Sequence, residues 1–412
     1  MNRSVVPSTP VVDAEPADTA LPSGLIDQIA SGFGDDAAMG HLADAQLLIT
    51  LNLLSRVRER AVGRHAFATD GWVMLERLDG EALAAVGEVL AHPYVRAWAM
   101  RCLQPGDDCR DHVGYVNSLA AAAALRADRA VDLRVPIVGD RVHLPTVGTV
   151  YLPGANASVA ELWSVGRGFT LRVGATLVTV DGLDAPAGES WQPARRIECD
   201  GLSLLIEDGD PYRDCHQWAP SGRASSTDGA RWQEHVAAAW RLIRGDAADY
   251  VPGLLAGLRT VAPLAADPGG LMRASTSRDA FGSVASVLAE PAALAVILVH
   301  EFQHGKLGAL LDLCQLLDPS STEMFMVPWR TDPRPHEGVL QGTYAHVAVA
   351  DMWRRRADQS GPQQMTARKH YRQYRDWSEV GLDVLLRHPD VLTVSGRRFV
   401  QVMAAGVAGW AA

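Results

Sequence analysis

The sequence predicts an α+β protein, mostly helical, with a central β-rich segment and a helical C-terminal part that carries a metal-binding motif. Three observations point there. Apolar residues recur every three or four positions from Leu25 to about residue 131, as in ALAAVGEVLAHPYVRAWAMRCL and NSLAAAAALRA, which is helical spacing. From residue 132 the pattern changes to short runs of Val, Leu and Thr punctuated by Gly and Pro, which read as strands and turns. Helical spacing returns after about residue 228 and contains His300-Glu301-Phe302-Gln303-His304.

In chain order, residues 1–24 form a lead rich in Pro, Ala and Asp, expected to be disordered. They lack a basic segment followed by an apolar core, so they do not read as a signal peptide. Residues 25–131 make a helical N-terminal part. Residues 132–227 make the β-rich segment, through RVPIVGDRVHLPTVGTVYLPG, FTLRVGATLVTVDG and ARRIECDGLSLLIED. Residues 228–412 make the helical metal-binding part, in which His336 to Arg356 reads as a helix after the Pro-rich turn Asp332-Pro333-Arg334-Pro335. No internal repeat is present.

With 412 residues, 48% of them hydrophobic and 21% charged, the chain has the composition of a globular protein large enough for several domains. A net charge of −10 argues against nucleic acid or an anionic membrane as a general partner. No uninterrupted apolar run approaches the roughly 20 residues of a membrane span. Cys102, Cys109, Cys199, Cys215 and Cys314 are odd in number and widely spaced, so reduced thiols and a cytoplasmic location are expected rather than a disulfide framework.

His300 to His304 is an H-E-x-x-H motif. On a helix, positions four apart share a face, so the two imidazoles can be offered to one metal ion. Glu301 lies about 100° round the helix, within reach of a metal-bound water. Chance matches to five residues occur, and structural histidines are the alternative. Here the stripe Ala293, Val296, Ile297, His300, His304, Leu307, Gly308 and Leu311 is otherwise apolar or small. Two histidines in such a stripe need partners, because an unpaired buried polar group costs roughly 1–3 kcal/mol.

Two imidazoles leave a metal short of three protein ligands. The metzincin continuation fails, since Leu307 and Leu310 stand where Gly and His are needed. Glu323 has the approximate spacing of a thermolysin-like third ligand, but Val327 replaces the Asp that would follow it. His346 is the preferred third ligand, because Val339, Gly342, Thr343, Val349, Ala350 and Trp353 place it on an inward stripe; Gly342 would let another helix come close. Glu337 is the carboxylate alternative, in a position that would equally suit a solvent-facing helix N-terminus. Arg330 and Arg334 are candidates to hold an acidic cosubstrate, as guanidinium forks suit carboxylates. Ser275 to Asp279 would cap a following helix. Glu207 to Asp214 is acidic but lacks the loop pattern of a calcium site, and reads as a strand-end turn.

RASTSRDAFGSVASVL, LAVILVHEFQHGKLGALLDL and PWRTDPRPHEGVLQGTYAHVAVADMWR together resemble the actinobacterial H-E-x-x-H domain of pathways that modify ribosomally synthesised peptides. The likeness runs from about Arg273 to Arg356, and SLLIEDGDPYRD fits it as well. That family occurs alone or fused behind a radical SAM maturase. It is similar to Fe(II)- and 2-oxoglutarate-dependent hydroxylases that β-hydroxylate side chains of a precursor peptide. The resemblance implies Fe(II) with 2-oxoglutarate as cosubstrate, a precursor peptide as substrate and a radical SAM enzyme as a possible partner. On the motif alone, a zinc peptidase that trims a leader, with Glu301 as general base, remains the alternative. A non-catalytic peptide-binding partner of the maturase is the third reading.

Overall fold

The computed structural model describes residues 21–61, 66–104, 110–165 and 167–410. The expected N-terminal lead lies almost wholly outside these residues, and so does Cys109. The fold is α+β and mostly helical, with 52% helix and 17% strand in several small sheets.

Helices come first: α1 (Leu25–Ala30), α2 (Asp36–Ala61), α3 (Thr69–Glu81), α4 (Leu83–Leu90), α5 (Pro93–Cys102), α6 (Arg110–Val113) and α7 (Tyr115–Arg126). The alanine run makes α7 narrow, so it can be buried on every side, from Tyr115 to Leu125, against α3, α4 and the strands that follow. Strands then build two antiparallel sheets. One has the order β1 (Asp132–Pro136), β4 (Val159–Val165), β5 (Gly168–Val173), β6 (Thr176–Val180); the other is β2 (Arg141–Leu144), β3 (Gly148–Tyr151), β7 (Trp191–Pro193).

The sheet that positions the motif is mixed and five-stranded. Its order is β11 (Ala274–Ser275), β12 (Ser283–Ser286), β10 (Thr260–Pro263), β9 (Leu202–Ile206), β8 (Arg195–Cys199). Val261 pairs with Ile206 on one side and Val284 on the other, both in parallel register. The two edge strands run antiparallel. Central strands of this kind are buried on both faces, and β10 and β12 are buried throughout. The crossover from β9 to β10 contains α8 (Ser226–Asp246), started by a Ser225–Asp228 capping box. Its stripe Trp232, Val236, Ala239, Trp240 and Ile243 is buried. After α9 (Val251–Gly257) and β10 to β12 comes α10 (Pro291–Leu311), with Pro at its first turn. A hairpin of β13 (Met324–Phe325) and β14 (Arg334–Pro335) leads into α11 (His336–Ala357), which packs along α12 (Gln364–Arg387); α13 (Val394–Ala408) closes the described chain.

Packing cuts across the segment limits read from sequence. One core joins Leu54 and Val57 of α2 to α3–α7, β1–β7, Ala262 and Ala285 of the third sheet, and Leu264 and Ala280 beside it. The other joins Leu25, Ile29, Met39 and Leu42 to β8, β9 and the helices from α8 to α13. Helix α2 therefore serves both cores. It is also the one described helix long and apolar enough to cross a membrane, with mean hydropathy 1.2 over its best window. Cys199, Cys215 and Cys314 are free thiols.

Candidate metal centre

Four residues separate the buried strand β12 from helix α10, whose first three turns carry it to the motif. The helix is apolar on nearly all sides, and its most deeply buried face is not the histidine stripe. Leu294, Ala295, Leu298, Val299, Phe302, Gln303 and Lys306 are buried, whereas Ala293, Val296, Ile297, His300 and His304 are only half-buried. His300 and His304 border a cavity of about 710 Å³, which is why they are not fully buried. On the opposite face, Lys306 Nζ donates to the carbonyls of Gly32 (2.5 Å) and Phe33 (2.9 Å), and Gln303 donates to Gly32 (2.9 Å). These bonds tie α10 to the α1–α2 turn and fix its rotation.

The structure places His346 of α11 beside the pair. Its ring centroid is 5.4 Å from that of His300, and the His300 and His304 centroids are 4.9 Å apart. Trp329 (4.8 Å), Trp377 (5.2 Å) and Tyr374 (5.6 Å) wall His346 in. Gly342 allows this, because a Cβ there would lie 2.6 Å from the Trp329 indole nitrogen. The occupant of the gap is therefore a loop tryptophan, not the neighbouring helix expected from sequence. The close approach of α12 occurs instead at Gly381, against Thr343.

Burial lowers the His300 pKa well below its ordinary value, with His304 and His346 adding to the effect. His346 is pushed down to about 3 by burial and by His304. Both are thus neutral imidazoles with lone pairs available at physiological pH. His304 Nδ1 lies 3.1 Å from Gln341 Oε1. With the amide oxygen accepting, Nδ1 carries the proton and Nε2 is left as the free donor atom. His346 Nδ1 is buried with no hydrogen-bond partner. Burial raises the Glu301 pKa, against opposing effects of His304 and Thr276. Thr276 Oγ1 stands 2.9 Å from Glu301 Oε2 and 2.8 Å from its carbonyl oxygen.

This donor set fits a divalent metal in chemistry: three imidazoles, one orphaned buried nitrogen and a carboxyl alongside. Among the described residues, no group of three or more His, Cys, Asp or Glu side chains is placed to hold a metal ion as it stands.

The remaining sequence candidates are placed as follows. Glu337 borders the cavity, but its side chain is 55% exposed and faces Arg278 at 4.0 Å. Glu323 is 61% exposed and lies 3.9 Å from His388, outside the cavity lining. Arg330 and Arg334 both border the cavity, each paired with Asp332 at 3.0 and 3.2 Å. Ser275 to Asp279 caps no helix, because β12 follows instead; the segment bends from the sheet edge into the cavity wall. Thr276, Gln341, Trp329 and Trp377 escaped the sequence reading. Gln341 alone had a signal, since it sits on the same helix as His346.

The strand-end turn at Glu207 to Asp214 is present after β9, but Glu207, Asp208, Asp210 and Arg213 are buried rather than solvated. No family model matches the chain, and no curated protein matches it.

Proposed function

We propose that the chain is a cytoplasmic, metal-dependent peptide-modifying enzyme that β-hydroxylates a side chain of a ribosomally made precursor peptide with Fe(II) and 2-oxoglutarate. The observation that carries this reading is the convergence of three imidazoles, His300, His304 and His346, on one open cavity beside a buried carboxyl. The family resemblance supplies the choice of iron and keto acid over other metal chemistry. Bound there, ferrous iron would couple oxidative decarboxylation of 2-oxoglutarate by O₂ to insertion of one oxygen atom into a C–H bond, giving succinate and CO₂.

The chain's own residues have definite tasks in this scheme. Gln341 holds the His304 ring and sets its tautomer. Trp329 and Trp377 cover His346 and keep water from that side. Arg334 or Arg330, at the cavity wall, would take the distal carboxylate of the keto acid in exchange for Asp332. Glu301, steadied by Thr276, orients ligands or water beside the imidazoles. A volume of about 710 Å³ leaves room for a keto acid and a peptide side chain together. A radical SAM maturase of the same pathway would share the peptide. Purified protein with Fe(II), ascorbate, 2-oxoglutarate and the cognate peptide should form succinate and add one oxygen to the peptide. Absence of both products with iron-loaded protein would rule the scheme out.

One observation favours a second reading, a zinc peptidase. Burial shifts Glu301 towards the neutral range in which a carboxylate serves as general base. Zinc-dependent cleavage of the peptide, lost in Glu301→Gln and indifferent to 2-oxoglutarate, would select it.

A further inference from the structure

A second group of buried ionisable side chains lies away from this cavity, where α5, β2 and the end of β9 meet. His92 immediately precedes α5, His143 sits in β2, and Glu207 and Asp210 follow β9. Their side chains are only 1%, 4%, 7% and 1% exposed. The elements involved come from distant parts of the sequence, so burying these groups together is a tertiary arrangement and not a local turn.

Each imidazole has one nitrogen engaged and one empty. His92 Nε2 meets Glu207 Oε2 at 3.0 Å, and His143 Nδ1 meets Thr149 Oγ1 at 2.9 Å. The other two nitrogens, His92 Nδ1 and His143 Nε2, are buried without hydrogen-bond partners. Both approach the same atom, Asp210 Oδ2, at 3.7 and 3.5 Å. His143 Nε2 is also 3.8 Å from Glu207 Oε1. Backbone N–H groups of Gly209 and Asp210 donate to Glu207, the Tyr212 N–H donates to Asp210 Oδ1, and the Tyr115 hydroxyl donates to Asp210 Oδ2.

Two buried carboxylates carry negative charge, which a protein interior tolerates poorly unless it is balanced. Either two protons or one divalent cation can balance it. At Asp210 spacing separates the two. A protonated imidazole bonded to a carboxylate sits at ~2.8 Å, near the 3.0 Å contact of His92 with Glu207 but much closer than the approaches to Asp210. Ligands sharing a tetrahedral metal lie ~3.3 Å apart, given metal–ligand bonds of about 2.0–2.1 Å. The approaches of 3.5 and 3.7 Å are nearer to the second value. The outer partners match as well: the Glu207 carboxylate accepts from His92 Nε2, which turns Nδ1 towards Asp210, and Thr149 holds the His143 ring at Nδ1.

We propose that His92 Nδ1, His143 Nε2 and Asp210 Oδ2 form a second cation site, independent of the H-E-x-x-H cavity, which takes a divalent transition metal such as Zn(II). Glu207 is the outer partner of His92. As they stand, no three of the described residues are placed to hold an ion, and the His92 and His143 ring centroids are 6.5 Å apart, so the donors must draw together to close on it. The ion's role is structural: it fastens the helical layer (His92) and the small sheet (His143) to the end of β9 in the five-stranded sheet (Asp210).

The test uses the full chain in a His300→Gln/His304→Gln background, stripped with chelator and titrated with Zn(II), with metal content and Tm as readouts. The expected result is one bound equivalent and a raised Tm. Adding Asp210→Asn or His143→Gln to that background should weaken binding at least about tenfold. If those variants do not fold, the response of the background protein alone decides. A folded background protein that binds no Zn(II) and shows no Tm response overturns the site, and two protons then balance the cluster. Wild-type protein that binds a single equivalent, retained when His300 and His304 are replaced, would sustain this site and sink the metal reading of the H-E-x-x-H cavity.

Discussion

Thr276 Oγ1 lies within hydrogen-bond reach of two oxygens of Glu301, the backbone carbonyl at 2.8 Å and Oε2 at 2.9 Å. The hydroxyl thus joins the segment leaving edge strand β11 to the motif helix α10 at the one acidic residue of the motif. Thr276→Val keeps the shape and removes the donor, leaving a buried carboxyl with one partner fewer. It should cost about 1 kcal/mol, read as a lower denaturation midpoint. Thr276→Ser should restore most of the loss. Equal midpoints for Val and wild type would show that the bond does not hold the carboxyl.

His346 and the two glutamates at positions 337 and 323 differ sharply in setting. His346 is 7% exposed against His300, whereas Glu337 and Glu323 are mostly solvated. His346→Gln should weaken metal binding at the H-E-x-x-H cavity by at least about tenfold. Glu337→Gln and Glu323→Gln should leave the affinity near wild type. Competition with a chromophoric chelator, in protein carrying Asp210→Asn to remove the second cation site, measures all three.

Asp312 ends α10 and receives Arg96 at 2.8 Å, Arg278 at 2.7 Å and Gln46 at 3.1 Å. Burial alone would raise its pKa; the two guanidinium groups outweigh burial and hold it below the ordinary 3.8. The folded state therefore takes up this proton less readily than the unfolded state. Its stabilisation is complete above pH 3.8 and is lost as pH falls below that value. Asp312→Asn should cost about 2 kcal/mol near neutrality and flatten the acid side of the stability profile. An unchanged acid limb in urea melts would refute the coupling.

Gly342 leaves the space that the Trp329 indole fills above His346. Gly342→Ala should displace that indole and destabilise the protein by about 1–3 kcal/mol. Thermal unfolding beside Gly308→Ala checks this, since no atom lies within 4 Å of a Cβ at Gly308.

Much of this was legible in the sequence, and the gaps have physical causes. Helical periodicity located α10 and α11 and put His300, His304 and His346 on definite helical faces. It could not say that the His300 stripe borders a cavity, because a helix apolar on all sides has no face marked by pattern. Thr276 was hidden because its partner lies 25 residues away in sequence, across the sheet edge. The burial of Glu207 and Asp210 was equally hidden. Acidic residues beside glycine read as a solvated turn until His92 and His143 arrive from other elements.

The most direct test of the central claim is anaerobic titration of purified protein with Fe(II) and then 2-oxoglutarate, followed by visible absorption. Chelation of the keto acid to ferrous iron at His300, His304 and His346 predicts a charge-transfer band in wild type that is absent from His300→Gln/His304→Gln. Iron-loaded wild type that develops no band, or a band unchanged in the double variant, would contradict the account.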